Sequence, residues 1–255
     1  MRHQAAGTVT RKDISDAIRR AGLAERPVCV HSSLRSFGHV DGGADSVVEG
    51  ILDAGCTVMV PTFSSAFEVA PPIAQRIPRN GIDYDSYFAG RPVPDAVYSP
   101  DSEQIDRYMG AVPRAVLAME GRVRGSNPLN SFAAVGPLAR DLIGRQTAIN
   151  VYAPLKRVSE LGGTFALMGV RLTSMTALHL AEEMAGRTLF RGWAHGPDGN
   201  LIQTAVGSCS SGFHKLDEVL SDIERQTVVG DSRWRIFPAG PMLELASDTI
   251  RRDPM

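Results

Sequence analysis

The sequence predicts an α/β protein with a mixed central sheet flanked by helices and a smaller peripheral subdomain. Three observations carry this. Two short apolar runs, Val28-Cys29-Val30-His31 and Thr57-Val58-Met59-Val60, flank a helical pattern, as in a parallel βαβ unit. A third strongly apolar run over 164–170 leads into another helical pattern over 176–184. Further on, turn signals and short alternating stretches add hairpin material to this alternation of strands and helices.

The elements follow in order. Apolar residues at Ile14, Ala17, Ile18 and Ala21 repeat at helical spacing behind Thr10, a capping residue, and predict a helix over 10–21. Val47, Val48, Ile51 and Leu52 predict the next over 45–54, closed by Gly55, and Pro61 ends the strand beyond it. From Phe67 to Tyr108 the periodicity fails among prolines and scattered aromatics, which predicts a long irregular, lid-like excursion. Residues 111–119 and 137–143 read as helices and 131–135 as a strand. Beyond the helix over 176–184, a Gly/Asp turn at 196–199 precedes a hairpin partner over 201–206. A helix near 213–223 and a last strand over 234–237 complete the pattern. No internal repeat breaks it, and 1–255 reads as a single domain.

Composition narrows the function. At 255 residues, 43% hydrophobic and 22% charged, the chain is an ordinary globular one. A formal net charge of -1 provides no basic field for nucleic acid or an anionic membrane. No stretch is long and apolar enough to span a bilayer, and the start lacks the apolar core of a signal peptide, so a cytoplasmic location is expected. Cys29, Cys56 and Cys209 are odd in number and widely spaced, which fits neither a disulfide framework nor a metal site.

Chemistry concentrates in two places. Thr176, His179 and Glu182 fall on one helical stripe, where a carboxylate one turn away selects the tautomer of an imidazole and raises its basicity. That suits general-base work, although a hydrogen-bonded core histidine gives the same pattern; His-x-x-Glu alone supplies too few ligands for a metal. The loop His31-Ser32-Ser33-Leu34-Arg35-Ser36-Phe37-Gly38 places hydroxyls, N–H groups and an arginine at a strand end. Open α/β sheets bind ligands there, but its glycine spacing is neither a phosphate loop nor a dinucleotide fingerprint. Ser32 or Ser33 with His179 would make a serine hydrolase, against which stands the missing Gly-x-Ser-x-Gly elbow. The segment 81–106 holds Asp83, Asp85, Asp95, Asp101, Glu103 and Asp106 against Arg91 alone, which describes either a cation-attracting lid or a solvated acidic loop.

Taken together the motifs resemble the aminoglycoside 3-N-acetyltransferase, or antibiotic acetyltransferase, family. The matching pieces are His31-Ser32-Ser33-Leu34 with Phe37-Gly38 and Gly42-Gly43, Val60-Pro61-Thr62-Phe63, Gly110-Ala111-Val112-Pro113, the loop Arg124 to Ser131 with Phe132-Ala133-Ala134, and Thr176-Ala177-Leu178-His179-Leu180-Ala181-Glu182. They are colinear over most of residues 10–220. The resemblance implies the antibiotic acetyltransferase fold and acetyl transfer from acetyl-CoA, without a metal, to the 3-amino group of an aminoglycoside. It implies His179 as base, Glu182 as its partner and Thr176 near the thioester. His31, Ser32, Ser33, Leu34, Arg35, Ser36, Phe37 and Arg124 would line the CoA path, and Asp83, Asp85, Asn127, Thr173 and Glu183 the acceptor. Direct transfer is implied rather than an acyl-enzyme on Ser32 or Cys209, by a monomer or homodimer.

The chain departs from the family in two places. Members commonly carry His-Pro where this chain has Asn127-Pro128, and Asp and Asn where it has Thr173 and Met175. The first change removes a titratable donor and the second a carboxylate suited to a polycationic aminosugar. The departures keep two alternatives open: a CoA-dependent acyltransferase of the same fold acting on another amine, and an inactive CoA-binding homologue.

Overall fold

Thr10 starts the first helix, α1 (Arg11–Arg20): its hydroxyl accepts from the Asp13 N–H while the Asp13 carboxylate accepts from the Thr10 N–H, a capping box. In this computed structural model, residues 7–252 are described except Pro92, Asp95, Pro197 and Ser208. The residues before Gly7, and Asp95 of the acidic segment, lie outside the described residues. The chain continues through β1 (Pro27–Ser32), α2 (Gly43–Asp53), β2 (Thr57–Pro61), α3 (Tyr84–Phe88), α4 (Ala111–Ala118), β3 (Val123–Arg124) and β4 (Phe132–Val135). Then come α5 (Ala139–Ile143), α6 (Ala153–Glu160), β5 (Thr164–Met168), α7 (Ala177–Met184), β6 (Phe190–His195) and β7 (Leu201–Val206). The last elements are α8 (Asp217–Leu220), β8 (Arg225–Val229), β9 (Ser232–Pro238) and α9 (Ala239–Arg252).

The main sheet has 7 strands in the order β3-β4-β2-β1-β5-β9-β8. β1 pairs in parallel with β2 on one side and β5 on the other; the flanking pairs are antiparallel. Its strands β1, β2, β4 and β5 are buried on both faces, which is why they read as continuous apolar runs. Alternation still sorts them. Val28, Val30, Val58, Val60, Ala166 and Met168 join the core under α1, α2 and α4, while Cys29, Met59, Phe165 and Leu167 join the core under α5, α6, α7 and α9.

The peripheral part is the hairpin β6–β7 with the excursion folded onto it. Glu68 bridges to Ala194, Val69 N–H donates to Trp193 O, and the Asn80 side chain brackets Arg191 through its N–H and C=O. The excursion has little regular structure besides α3 and 3-10 turns, but such contacts fix its path.

Five elements went unread in the sequence: α3, β3, α6, β8 and α9. α9 begins Ala239-Gly240-Pro241, which reads as a break, yet proline in the first turn of a helix removes only an N–H that has no partner. β8 is an edge strand whose first residues are exposed and polar, so it carries no apolar run. Among the described residues no helix is long and apolar enough to cross a membrane.

Candidate active site

The parallel strands β1, β2 and β5 end on one edge of the sheet, and the residues just beyond them line a cleft of about 1030 Å³. His31, Ser32, Ser33, Leu34 and Arg35 come from the end of β1, Phe63 to Ser65 from the chain after β2, and Thr173 to Thr176 from the turn between β5 and α7. Carboxyl ends of parallel strands on either side of a central strand form a natural ligand crevice.

His179 is the third residue of α7 and reaches the cleft from its first turn. Its Nδ1 lies 2.7 Å from Glu182 Oε2. An ionised carboxylate only accepts, so Nδ1 carries a proton, and in the neutral ring Nε2 is the bare acceptor. Burial alone would raise the Glu182 pKa, but the hydrogen bond and charge of His179, together with Arg187 at 2.6 Å, outweigh it and hold the carboxyl below its ordinary value. The ring sits between Tyr152, nearly parallel to it at 6.3 Å, and Phe213 at 4.7 Å. Gly207 closes this slot: a Cβ there would lie 2.7 Å from His179 Cδ2 and 2.1 Å from the Tyr152 hydroxyl, so no side chain fits. Sequence reasoning missed Tyr152, Phe213 and Gly207, for which the chain gives no local signal.

Thr176 is tied to His31. The Thr176 N–H donates to His31 Nε2 at 3.2 Å, and its hydroxyl lies 3.1 Å from the same nitrogen. Nε2 is therefore the acceptor, and Nδ1 carries a proton that finds no hydrogen-bond partner among the described residues. Burial pushes the His31 pKa down to about 4, below an ordinary histidine near 6.5. Protonation thus favours the unfolded chain: stability is complete above about pH 6.5 and is lost as pH falls toward 4. His31→Gln should reduce the loss of unfolding free energy between pH 7 and pH 5 by about 2 kcal/mol, read from urea titrations at both pH values. An unchanged pH dependence would show that His31 is solvated.

Other expected residues lie elsewhere. Ser36 spends its hydroxyl on Ser33 O at 2.7 Å and Ser232 at 2.8 Å, and Phe37 is buried edge-on against Trp234. Arg124, expected on the CoA path, is 4% exposed and donates to Thr62 O, Ser102 O, Gln104 O and the Ser131 hydroxyl, so four of its five N–H groups are engaged inside the fold. Asn127 is also fully engaged inside: its Oδ1 accepts from the Leu129 and Asn130 N–H groups, and its Nδ2 donates to Thr204 Oγ1 and Ala148 O. Asp83 caps α3 and Asp85 pairs with Arg76 on the surface; Glu183 is exposed on α7. Among the described residues, the carboxylates that line the cleft are instead Glu68 and Asp106. Asp106 belonged to the acidic segment, and Glu68 was not singled out. Gly110 also lines the cleft at the start of α4, in a conformation (φ 90°, ψ -170°) open only to glycine, and no side chain caps the helix there.

The serine-hydrolase reading finds no support, since among the described residues neither Ser32 nor Ser33 hydrogen-bonds to a histidine. Cys209 is exposed, with Ser211 at 2.9 Å, and lines a smaller cavity of about 330 Å³ beside His179 and Glu182.

The family described as aminoglycoside 3-N-acetyltransferase matches residues 29–251 of this chain, which includes every cleft residue named above. The chain belongs to this family. It is 27% identical to aminoglycoside N(3)-acetyltransferase IX of Micromonospora chalcea, over 97% of this chain and 95% of that protein. It is 34% identical to aminoglycoside N(3)-acetyltransferase III of Salmonella sp over 69% of this chain, a match that spans 61% of that protein's length. The fold is shared with the AAC-IIIb binary complex with CoASH, at a TM-score of 0.79 and 20% identity over 96% of this chain and 97% of the other. It is likewise shared with AAC-VIa bound to sisomicin, at 0.75 and 20% over 96% and 98%. The sequence resemblance to this family, and the mixed α/β architecture expected from it, are thus established. His179 and Glu182 are hydrogen-bonded to each other on α7, and His179 lines the cleft between the sheet edge and the excursion.

Proposed function

We propose that the protein transfers the acetyl group of acetyl-CoA to the 3-amino group of an aminoglycoside, with His179 as the general base. The observation that carries this reading is the His179–Glu182 pair, whose bare Nε2 belongs to a residue lining a cleft large enough for two substrates. Family membership, relatives named as aminoglycoside N(3)-acetyltransferases, and structural neighbours in complex with CoASH and with sisomicin support the choice of substrates. The cleft suits CoA: Ser32, Ser33 and Arg35 supply polar and cationic groups along one side, and the uncapped start of α4 offers backbone N–H groups to an anion.

The steps follow from the groups. The acceptor's amine must be neutral to attack, so His179 Nε2 takes one of its protons as the nitrogen adds to the thioester carbonyl, and Glu182 stabilises the imidazolium that forms. The carbonyl oxygen becomes an oxyanion, to which the Thr176 hydroxyl donates while the Thr176 N–H keeps its bond to His31 Nε2. Collapse breaks the C–S bond, and the thiolate leaves with the proton returned by His179, giving the amide and CoA thiol.

The test is thiol release from acetyl-CoA by the purified protein over a panel of aminoglycosides and unrelated amines, with the acetylated position read by NMR. Turnover on aminoglycosides with acetylation at the 3-amino group is expected. Glu182→Gln should lower kcat by about 10²-fold or more, because a neutral amide no longer fixes the Nδ1–H tautomer. Turnover confined to unrelated amines would overturn the choice of acceptor.

A further inference from the structure

Part of the cleft wall already holds a cation belonging to the chain. Glu68 follows the 3-10 turn beyond β2, and its backbone is fixed twice, by its own N–H to Ser65 O and by the bridge to Ala194. Its side chain lines the cleft and is only 14% exposed. Burial raises its pKa, and the Tyr87 hydroxyl and Arg91 work against that rise. The Tyr87 hydroxyl donates to Oε2 at 2.9 Å, and Arg91 Nη1 donates to the same oxygen at 3.3 Å. Asp106 belongs to the same wall: its carboxylate accepts from the Ser65 N–H and hydroxyl, and its own N–H donates to Phe63 O.

The two contacts on Glu68 differ in kind. Tyr87 makes a normal, part-buried hydrogen bond. Arg91 makes a single long one, without the bidentate geometry that makes such pairs strong, and its side chain is 45% exposed. Its guanidinium also stacks over the Tyr87 ring, 3.9 Å from the centroid. Arg91 therefore has a second seat on the Tyr87 ring, beside the cleft wall, and loses little when its carboxylate contact is broken. Resting on the acetyltransferase reading above, we propose that Arg91 is an internal counter-ion that competes with an acceptor ammonium for Glu68, and so sets how much positive charge an acceptor must carry to be held in the cleft. An acceptor with several ammonium groups wins the carboxylate and leaves Arg91 on the Tyr87 ring; an amine of low charge does not.

Steady-state kinetics of the full chain with acceptors of increasing amino-group number test this, using Arg91→Gln, Arg91→Lys, Glu68→Gln and the double variant Arg91→Gln/Glu68→Gln. Arg91→Gln should lower the acceptor KM by about two- to five-fold. The gain should be largest for acceptors of low charge, with kcat and the KM for acetyl-CoA unchanged. Arg91→Lys should behave like the parent. Glu68→Gln should raise the acceptor KM by about ten-fold or more. In the double variant the benefit of Arg91→Gln should vanish, because the contested carboxylate is gone. A higher acceptor KM in Arg91→Gln would overturn the proposal and make Arg91 a brace for the wall. A gain that persists without Glu68 would overturn it too. If the parent turns over no amine, the acetyltransferase reading fails, and calorimetric binding of sisomicin to the same four variants still decides whether Arg91 competes for Glu68.

Discussion

His179→Ala is expected to lower kcat/KM for acetyl transfer by about 10²–10⁴-fold while leaving acetyl-CoA binding nearly unchanged. The loss is large because no other group in the slot can take the proton. Tyr152 is buried and pushed well above its ordinary pKa, and Glu182, without the histidine, still faces Arg187. The helix itself should survive, since alanine is a good helix former and Leu178 and Ala181, on either side, keep α7 in the core. Thiol release, calorimetry with CoA and far-UV circular dichroism separate the outcomes. A variant that folds, binds CoA and keeps more than a tenth of the parent rate would rule His179 out as the base.

Arg124→Met should cost about 3–5 kcal/mol of unfolding free energy, the largest stability change expected of any residue first read as a ligand contact. The guanidinium is buried among the carbonyls of Thr62, just past β2, and of Ser102 and Gln104 in the excursion, with the Ser131 hydroxyl before β4 as its fourth acceptor. Among the described residues no carboxylate pairs with it, and burial lowers its pKa. Methionine matches much of the volume but takes the donor away from Ser102 O and Gln104 O, whereas Thr62 O keeps the Ser131 hydroxyl. Urea unfolding reads the loss, and the KM for acetyl-CoA of the folded variant should match the parent. Unchanged stability with a raised KM would return Arg124 to the phosphate path.

These two residues mark where the sequence was legible. His179 and Glu182 were readable because a helix fixes the geometry of residues three apart whatever surrounds it, so spacing alone predicts the contact at 2.7 Å. Arg124 was not, because a fork of donors suits a phosphate and a cluster of carbonyls equally, and only the fold brings Ser102 and Gln104 to it. The acidic segment shows the same limit. Its charge was countable, but whether a carboxylate faces the cleft depends on how the excursion lies on β6 and β7, which selects Asp106 and adds Glu68 while leaving Asp83 and Asp85 on the surface. For the fold, buried strands announced themselves by apolar runs. α9 and β8 did not, one masked by a proline at a harmless position and the other by its exposure at the sheet edge.

The place of α9 has a consequence for how the protein acquires activity during synthesis. β5 and α7 carry the chain into and through the site, yet β5 has β9 as its outer neighbour, and α7 shares its core with Met242, Leu243, Ala246 and Ile250 of α9. Arg251 of α9 also donates to Met184 O at the end of α7. A nascent chain that has already released His179 and Glu182 from the ribosome thus holds them on a helix with one face uncovered. The His179–Glu182 pair gains its full packing only after residues 232–252 emerge, so the cleft is completed late in folding rather than when its own residues appear.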